Sequence, residues 1–88
     1  MEKAVITIVG SDRTGILAAA SAVVAKANGN VLNVDMNVNN DIFSMVMITD
    51  VTKLNVSITK LQNEVSASVP DMVVHVMHEN IFNAMHTI

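Results

Sequence analysis

Strict alternation marks one stretch of the chain more clearly than any other. Over residues 31–39, Leu32, Val34, Met36 and Val38 alternate with Asn33, Asp35, Asn37 and Asn39. A period of two sends the first set to one face of a strand and the second to the other. This predicts a half-buried strand whose polar side belongs to a sheet edge or a solvated face. Asn39, Asn40 and Asp41 then supply a turn. Residues 42–49, from Ile42 to Thr49, are apolar on both faces and read as a central strand, so the pair forms a hairpin. Residues 4–9 are also apolar on both faces and predict a second central strand.

Two stretches switch to helical spacing. Ile16, Leu17, Ala20, Val23, Val24 and Ala27 form one stripe, with Gly29 placed to end the helix. Its other side, Ala18, Ala19, Ser21, Ala22 and Ala25, is small, which high helix propensity explains. Ile58, Leu61, Val65 and Val69 predict a second helix, capped by Asn55 or Ser57 and stopped at Pro70. Residues 72–78 predict a fourth strand, and Ile81, Phe82 and Met85 suit a short amphipathic tail helix. The order β-α-β-β-α-β predicts an α+β, ferredoxin-like sandwich: a four-stranded antiparallel sheet with two helices on one face. Right-handed crossovers put strands 1 and 3 in the centre and strands 2 and 4 at the edges. No linker or low-complexity tract interrupts residues 1–88, which read as one domain.

Composition narrows the function classes. Aromatic residues are 2% of a chain that is 51% hydrophobic, so the core is aliphatic, with seven Met as gap-fillers. A net charge of −3 with no Tyr or Trp lacks the basic footprint and the stacking platform of a nucleic-acid binder. Without Cys there is no disulfide, thiolate metal site or Cys nucleophile, which suits a reducing compartment. No apolar run approaches the roughly 20 residues of a spanning helix, and no signal peptide is evident. The expectation is a cytoplasmic protein without a membrane segment. A chain of 88 residues has a small core, so a homodimer that covers a sheet edge is expected.

The chemistry concentrates between the first strand and the first helix, in Gly10-Ser11-Asp12-Arg13-Thr14-Gly15-Ile16-Leu17. Glycines permit close approaches and turn angles there. Asp12 or Thr14 is placed to cap the helix. Free amides of the first helical turn, with the helix dipole behind them, suit a small anion such as an amino-acid carboxylate. Arg13, the only arginine, can pair with a carboxylate in two-point fashion. The turn is neither a Walker A loop nor a dinucleotide fingerprint, since the lysine ending and the three-glycine spacing are missing. No nucleophile stands beside a base, so the reading is a binding module and not an enzyme. His75 and His78, three apart on a strand, face opposite sides, and His86 lies in the tail; neither a metal site nor a cofactor is expected.

The chain resembles the ACT domain, a small regulatory module of this topology. The matching pieces are Ile8-Val9-Gly10-Ser11-Asp12-Arg13-Thr14-Gly15-Ile16-Leu17, then Asn28-Gly29-Asn30-Val31, then the strand opening Ile42-Phe43. Ser57-Ile58-Thr59-Lys60-Leu61 and the tail from His78 to His86 are similar to short stand-alone ACT proteins of bacteria and archaea, and to the ACT portions of the glycine cleavage system transcriptional repressor. The resemblance implies an amino-acid-like ligand at a subunit interface, held by Gly10, Asp12, Arg13, Thr14, Gly15, Ile16 and Leu17 and by Asn30 and Val31 at the start of strand 2. It also implies a regulated protein partner. Where family members continue strand 2 with Asp-rich sequence, this chain has Leu32-Asn33-Val34-Asp35. Two alternatives stand beside this one. A ligand-free interaction module would use the sheet edges and the Ile81-Phe82-Met85 tail. An acylphosphatase-like hydrolase would use Arg13, but that enzyme's glycine-rich, aromatic-flanked loop is absent.

Overall fold

In the computed structural model, which describes residues 1–85, the chain runs through β1 (Lys3–Ser11), α1 (Ile16–Lys26), β2 (Asn30–Asn39), β3 (Ile42–Asp50), α2 (Ile58–Ser68), β4 (Val73–His78) and α3 (Glu79–Met85). The strands pair antiparallel in the order β2-β3-β1-β4. The expected ferredoxin-like sandwich is therefore borne out, with β1 and β3 central.

The two faces of β1 divide its apolar residues. Ala4, Ile6 and Ile8 join Met45, Met47, Val74 and Val76 in one buried layer against Ile16, Ala20 and Val24 of α1 and Leu61 and Val65 of α2. Val5 points to the other face, yet it is fully buried. The tail helix α3 lies against β1 and β4. Ile81 and Met85 on α3 stay exposed.

Local chemistry explains most boundaries. Ser57 caps α2, its hydroxyl accepting from the Lys60 N–H at 3.1 Å. Asn55 instead donates its side-chain amide to the Lys26 carbonyl at 3.2 Å, which ties the loop to the end of α1. At that end the Gly29 N–H reaches the Val24 carbonyl and the Asn28 N–H reaches Ala25, a Schellman closure. The left-handed residue is Asn28 (φ 67), not the expected Gly29. Gly29 serves packing: a Cβ there would lie 2.9 Å from Val24 Cγ1 and 3.2 Å from Thr49 Cγ2. The hairpin turn holds Asn40 and Asp41 at φ 51 and 65, the paired positive angles of a type I′ turn.

The alternation of β2 is interrupted. Val31 pairs with Thr49 and Asn33 with Ile48, which leaves Leu32 as an extra, bulged residue. Val31 and Val34 pack on the core, whereas Leu32 is 43% exposed. Leu32 was expected to share a face with Val34, Met36 and Val38; the bulge removes it. Asn33, Asp35, Asn37 and Asn39 are exposed on the face that carries neither α1 nor α2.

The two sheet edges differ. On β4, the Val76 N–H donates to Gln62 Oε1 of α2 at 2.8 Å. Among the described residues, β2 has no such partner beyond β3. No helix among them is long and apolar enough to cross a membrane.

Candidate functional site

Strand β1 ends at Ser11 and α1 begins at Ile16, so a four-residue loop joins them. Gly15 sits at the N-cap with φ 88 and ψ 5, and no side chain bonds the free amides of the first turn. The expected cap by Asp12 or Thr14 is not formed. Both precede a glycine in the left-handed region, and the cap position itself carries no side chain. Asp12 is held otherwise: its N–H donates to the Asp41 carbonyl at 2.9 Å, which binds the loop to the β2–β3 turn. Asp12, Arg13, Thr14 and Gly15 are exposed, Ile16 is buried in the core and Leu17 is half-buried against it. These last two residues anchor the helix start beneath the loop.

Gly10 brings a second loop close. A Cβ on it would meet Met72 Sδ and stand 3.3 Å from the Asp71 carbonyl oxygen, so the segment before β4 packs directly on the glycine. That packing presents Asp71 to Arg13. The guanidinium donates from Nε to Oδ2 and from Nη2 to Oδ1, each at 2.9 Å, and from Nη1 to the Thr14 carbonyl at 3.3 Å. This is a two-point fork between charges 58 positions apart. Hydrogen bonding to Arg13 holds the Asp71 carboxyl below the usual carboxylate range, and the same bond raises Arg13. Sequence reasoning did not single out Asp71. Its signal is only a charged residue after Pro70, and such residues are common in loops.

Asn30 and Val31 stand elsewhere. Asn30 pairs with Asp50, which pairs with Lys3, while Asn39 pairs with Ile42, which pairs with Ser11. The start of β2 and the end of β1 thus occupy opposite ends of the sheet, roughly 26 Å apart at ~3.3 Å per residue. Asn30 borders a hollow of about 410 Å³ with Asn28, Gly29, Asp50 and Lys53. Another, of about 570 Å³, lies between α1 and α2 and includes Val23, Lys26, Lys60 and Glu64. Neither hollow touches the 10–17 turn.

The histidines divide as their spacing predicts. His75 pairs with Thr7 and His78 with Ala4, on opposite faces of the sheet. Among the described residues no three metal-binding side chains gather; His86 lies outside them.

A four-stranded sheet under two helices, with its most polar turn open at one end, defines a small ferredoxin-like module. A sequence profile of the ACT domain matches residues 2–81, and the chain belongs to the ACT-domain family of regulatory ligand-binding modules. It is 38% identical over 90 residues to a UPF0237 protein of Methanopyrus kandleri, a match that covers 100% of both chains. Similar proteins of that name occur in bacteria as well as archaea. An ACT domain protein from Streptococcus pneumoniae superposes with a TM-score of 0.77 at 28% identity, over 92% of this chain and 93% of that one. A candidate glycine cleavage system transcriptional repressor gives a TM-score of 0.65 at 20% identity, over 88% of this chain and 45% of that one, which is a likeness of fold.

Proposed function

We propose that the chain binds an amino acid or a similar small metabolite between two copies joined along β2, and passes the signal to a regulated protein in the cytoplasm. One observation carries this reading. Asn30 and the 10–17 turn, the two parts that the family resemblance assigns to the ligand, stand at opposite ends of one chain. Antiparallel pairing of two β2 edges, centred near Val34 and Asp35, sets Asn30 of the partner subunit beside Asn39. Asn39 flanks the turn whose Asp41 carbonyl already holds Asp12. The ligand then lies between the exposed loop of one copy and the strand start of the other.

The edges support this pairing. The β4 edge is engaged by Gln62, whereas β2 offers its free edge together with exposed Leu32, Met36 and Val38. Family membership supports a ligand-binding role, and the lack of any nucleophile–base pair in the loop argues against hydrolysis. Light scattering should give a dimer, and titration calorimetry with the proteinogenic amino acids should find a binder. Asn30→Ala and Asp12→Ala should each weaken that binding with the thermal midpoint unchanged. A folded dimer that binds none of them defeats the reading.

The second reading, a ligand-free interaction module, draws on α3, where Ile81 is 53% and Met85 65% exposed. Ile81→Asn with Met85→Gln should then abolish assembly. A dimer unaffected by both changes removes α3 from the interface.

A further inference from the structure

On the face of the sheet away from α1 and α2, β2 carries the pattern of a water-facing surface and the other strands do not. Asn33, Asp35, Asn37 and Asn39 line that side of β2, as alternation on a solvated sheet requires. From Val5 to Ser11 of β1, and at the paired positions of β3 and β4, the same side holds no Lys, Arg, Asp or Glu. We infer that this uncharged outer face of β3, β1 and β4 is a self-association surface, which receives the tail helix α3 of another copy related by a two-fold axis. The β2 pairing proposed above is a separate contact; resting on it, the outer face joins two such dimers into a tetramer.

Exposure along the face has a direction. On β1 it rises from fully buried Val5 to Val9 at 43%, on β3 from half-buried Ile48 to Ile42 at 50%, and on β4 from half-buried Met77 to Val73 at 61%. The gradients run the same way, because Val5 pairs with Ile48 and Met77, and Val9 pairs with Val73. The buried end is the one where α3 leaves β4, since His78 pairs with Ala4. Among the described residues α3 touches β1 and β4 but neither α1 nor α2, so it stands clear of the helical layer. Its one charged residue is Glu79 at its start, and Ile81 and Met85 are exposed. One end of the face thus carries an apolar helix without cover, and the other end a bare apolar sheet.

A two-fold axis across the strands near Thr7 brings these unlike ends together twice. The tail helix of each copy then lies over Val9, Ile42 and Val73 of the other, and the contact closes on itself. An uncharged surface penalises any partner that would bury a charge on it, and α3 brings none beyond its first residue. Neither hollow described above opens on this face, and a flat surface suits a helix better than a small molecule. Size sets the strength. Strands ~4.8 Å apart and outer residues ~6.7 Å apart along them give the face roughly 390 Å² in projection. A pair of single copies brings together roughly 780 Å², below the ~1,200 Å² of a stable interface. A pair of edge-joined dimers brings together roughly 1,550 Å², the standard size. Dilute protein is therefore the dimer, and the face joins dimers as concentration rises.

Sedimentation velocity of the whole chain, from micromolar to millimolar, reads this step. The native dimer should pass to a tetramer. Val73→Glu on the sheet and Ile81→Glu on α3, both at exposed positions, should each raise the concentration needed about tenfold or more, with the thermal midpoint unchanged. The chain has no Cys, which permits a second measurement that does not rest on a charged variant. A Val73→Cys chain mixed with an Ile81→Cys chain should be linked by a short bis-maleimide mainly into mixed pairs. A native dimer that stays a dimer at millimolar chain, a tetramer untouched by Val73→Glu, or linking without preference for the mixed pair overturns the inference and leaves the β2 pairing standing. A native dimer that Val73→Glu turns into monomer keeps the α3 contact and removes the β2 pairing. A chain that is monomeric throughout defeats both.

Discussion

The side chain of Gln62 on α2 accepts the backbone amide of Val76 on the outer side of β4, at 2.8 Å. A helix side chain thus occupies a donor that an edge strand would otherwise leave open. Gln62→Ala should lower stability by about 1 kcal/mol, the usual worth of such a bond. Denaturant unfolding measures the loss. Faster hydrogen exchange at Val76, with β1 and β3 amides unchanged, would locate it to the edge.

Thr49 is fully buried, and its Oγ1 has no hydrogen-bond partner among the described residues. Removing an unsatisfied hydroxyl while keeping the shape should stabilise the fold. Thr49→Val is expected to raise stability by about 1 kcal/mol. A fall in the thermal midpoint would show that the hydroxyl is satisfied after all.

Asp41 holds a left-handed φ of 65 at the second turn position, where glycine is preferred. Asp41→Gly keeps the carbonyl that Asp12 uses and relieves the Cβ, so a gain of about 0.5 kcal/mol is expected after the entropy that glycine adds to the unfolded chain. Asn28, at φ 67, gives a contrast. Its side-chain amide donates to the Lys53 carbonyl at 2.9 Å, so Asn28→Gly loses a bond as it loses strain and should come out near neutral or destabilising. Thermal melts of the two variants side by side test the difference.

Acid should weaken the fold partly through Asp71. Its carboxyl is held below the ordinary range by Arg13, so the folded state binds the proton less readily than the unfolded one. The stabilisation is fully present above the unfolded value of ~3.9 and is lost as pH falls from there through the lowered folded value. Asp50 is shifted the same way by the hydroxyl and amide of Thr52. The midpoint difference between the native chain and Asp71→Asn should therefore shrink below about pH 4. A difference that is constant through this range would mean that the pair adds nothing to stability.

The architecture was legible because alternation and helical spacing report burial, and burial is repeated along each element. Ala4, Ile6 and Ile8, or Leu61 and Val65, each repeat the same message. Single events have no such redundancy. One extra residue at Leu32 resets the side on which Val31 falls, and nothing in its chemistry announces the bulge. The left-handed position at the end of α1 went to Asn28, because the Schellman bonds choose the place and Gly29 was needed one step later for contact with Val24 and Thr49. Asp71 was out of reach for a different reason. It meets Arg13 only because the packing of Met72 on Gly10 brings two distant loops together, and a pair of exposed charges leaves no periodic trace.

Asn30 and Ser11 mark opposite ends of the same sheet, and that separation reaches beyond geometry. On the pairing proposed above, one copy carries half of each of two sites, so no site exists until two copies meet. Occupancy and assembly then become a single equilibrium, in which ligand tightens the dimer and dimer raises the apparent affinity for ligand. The threshold of such a sensor is set by how much of the protein the cell holds as well as by how much metabolite, and dilution alone silences it.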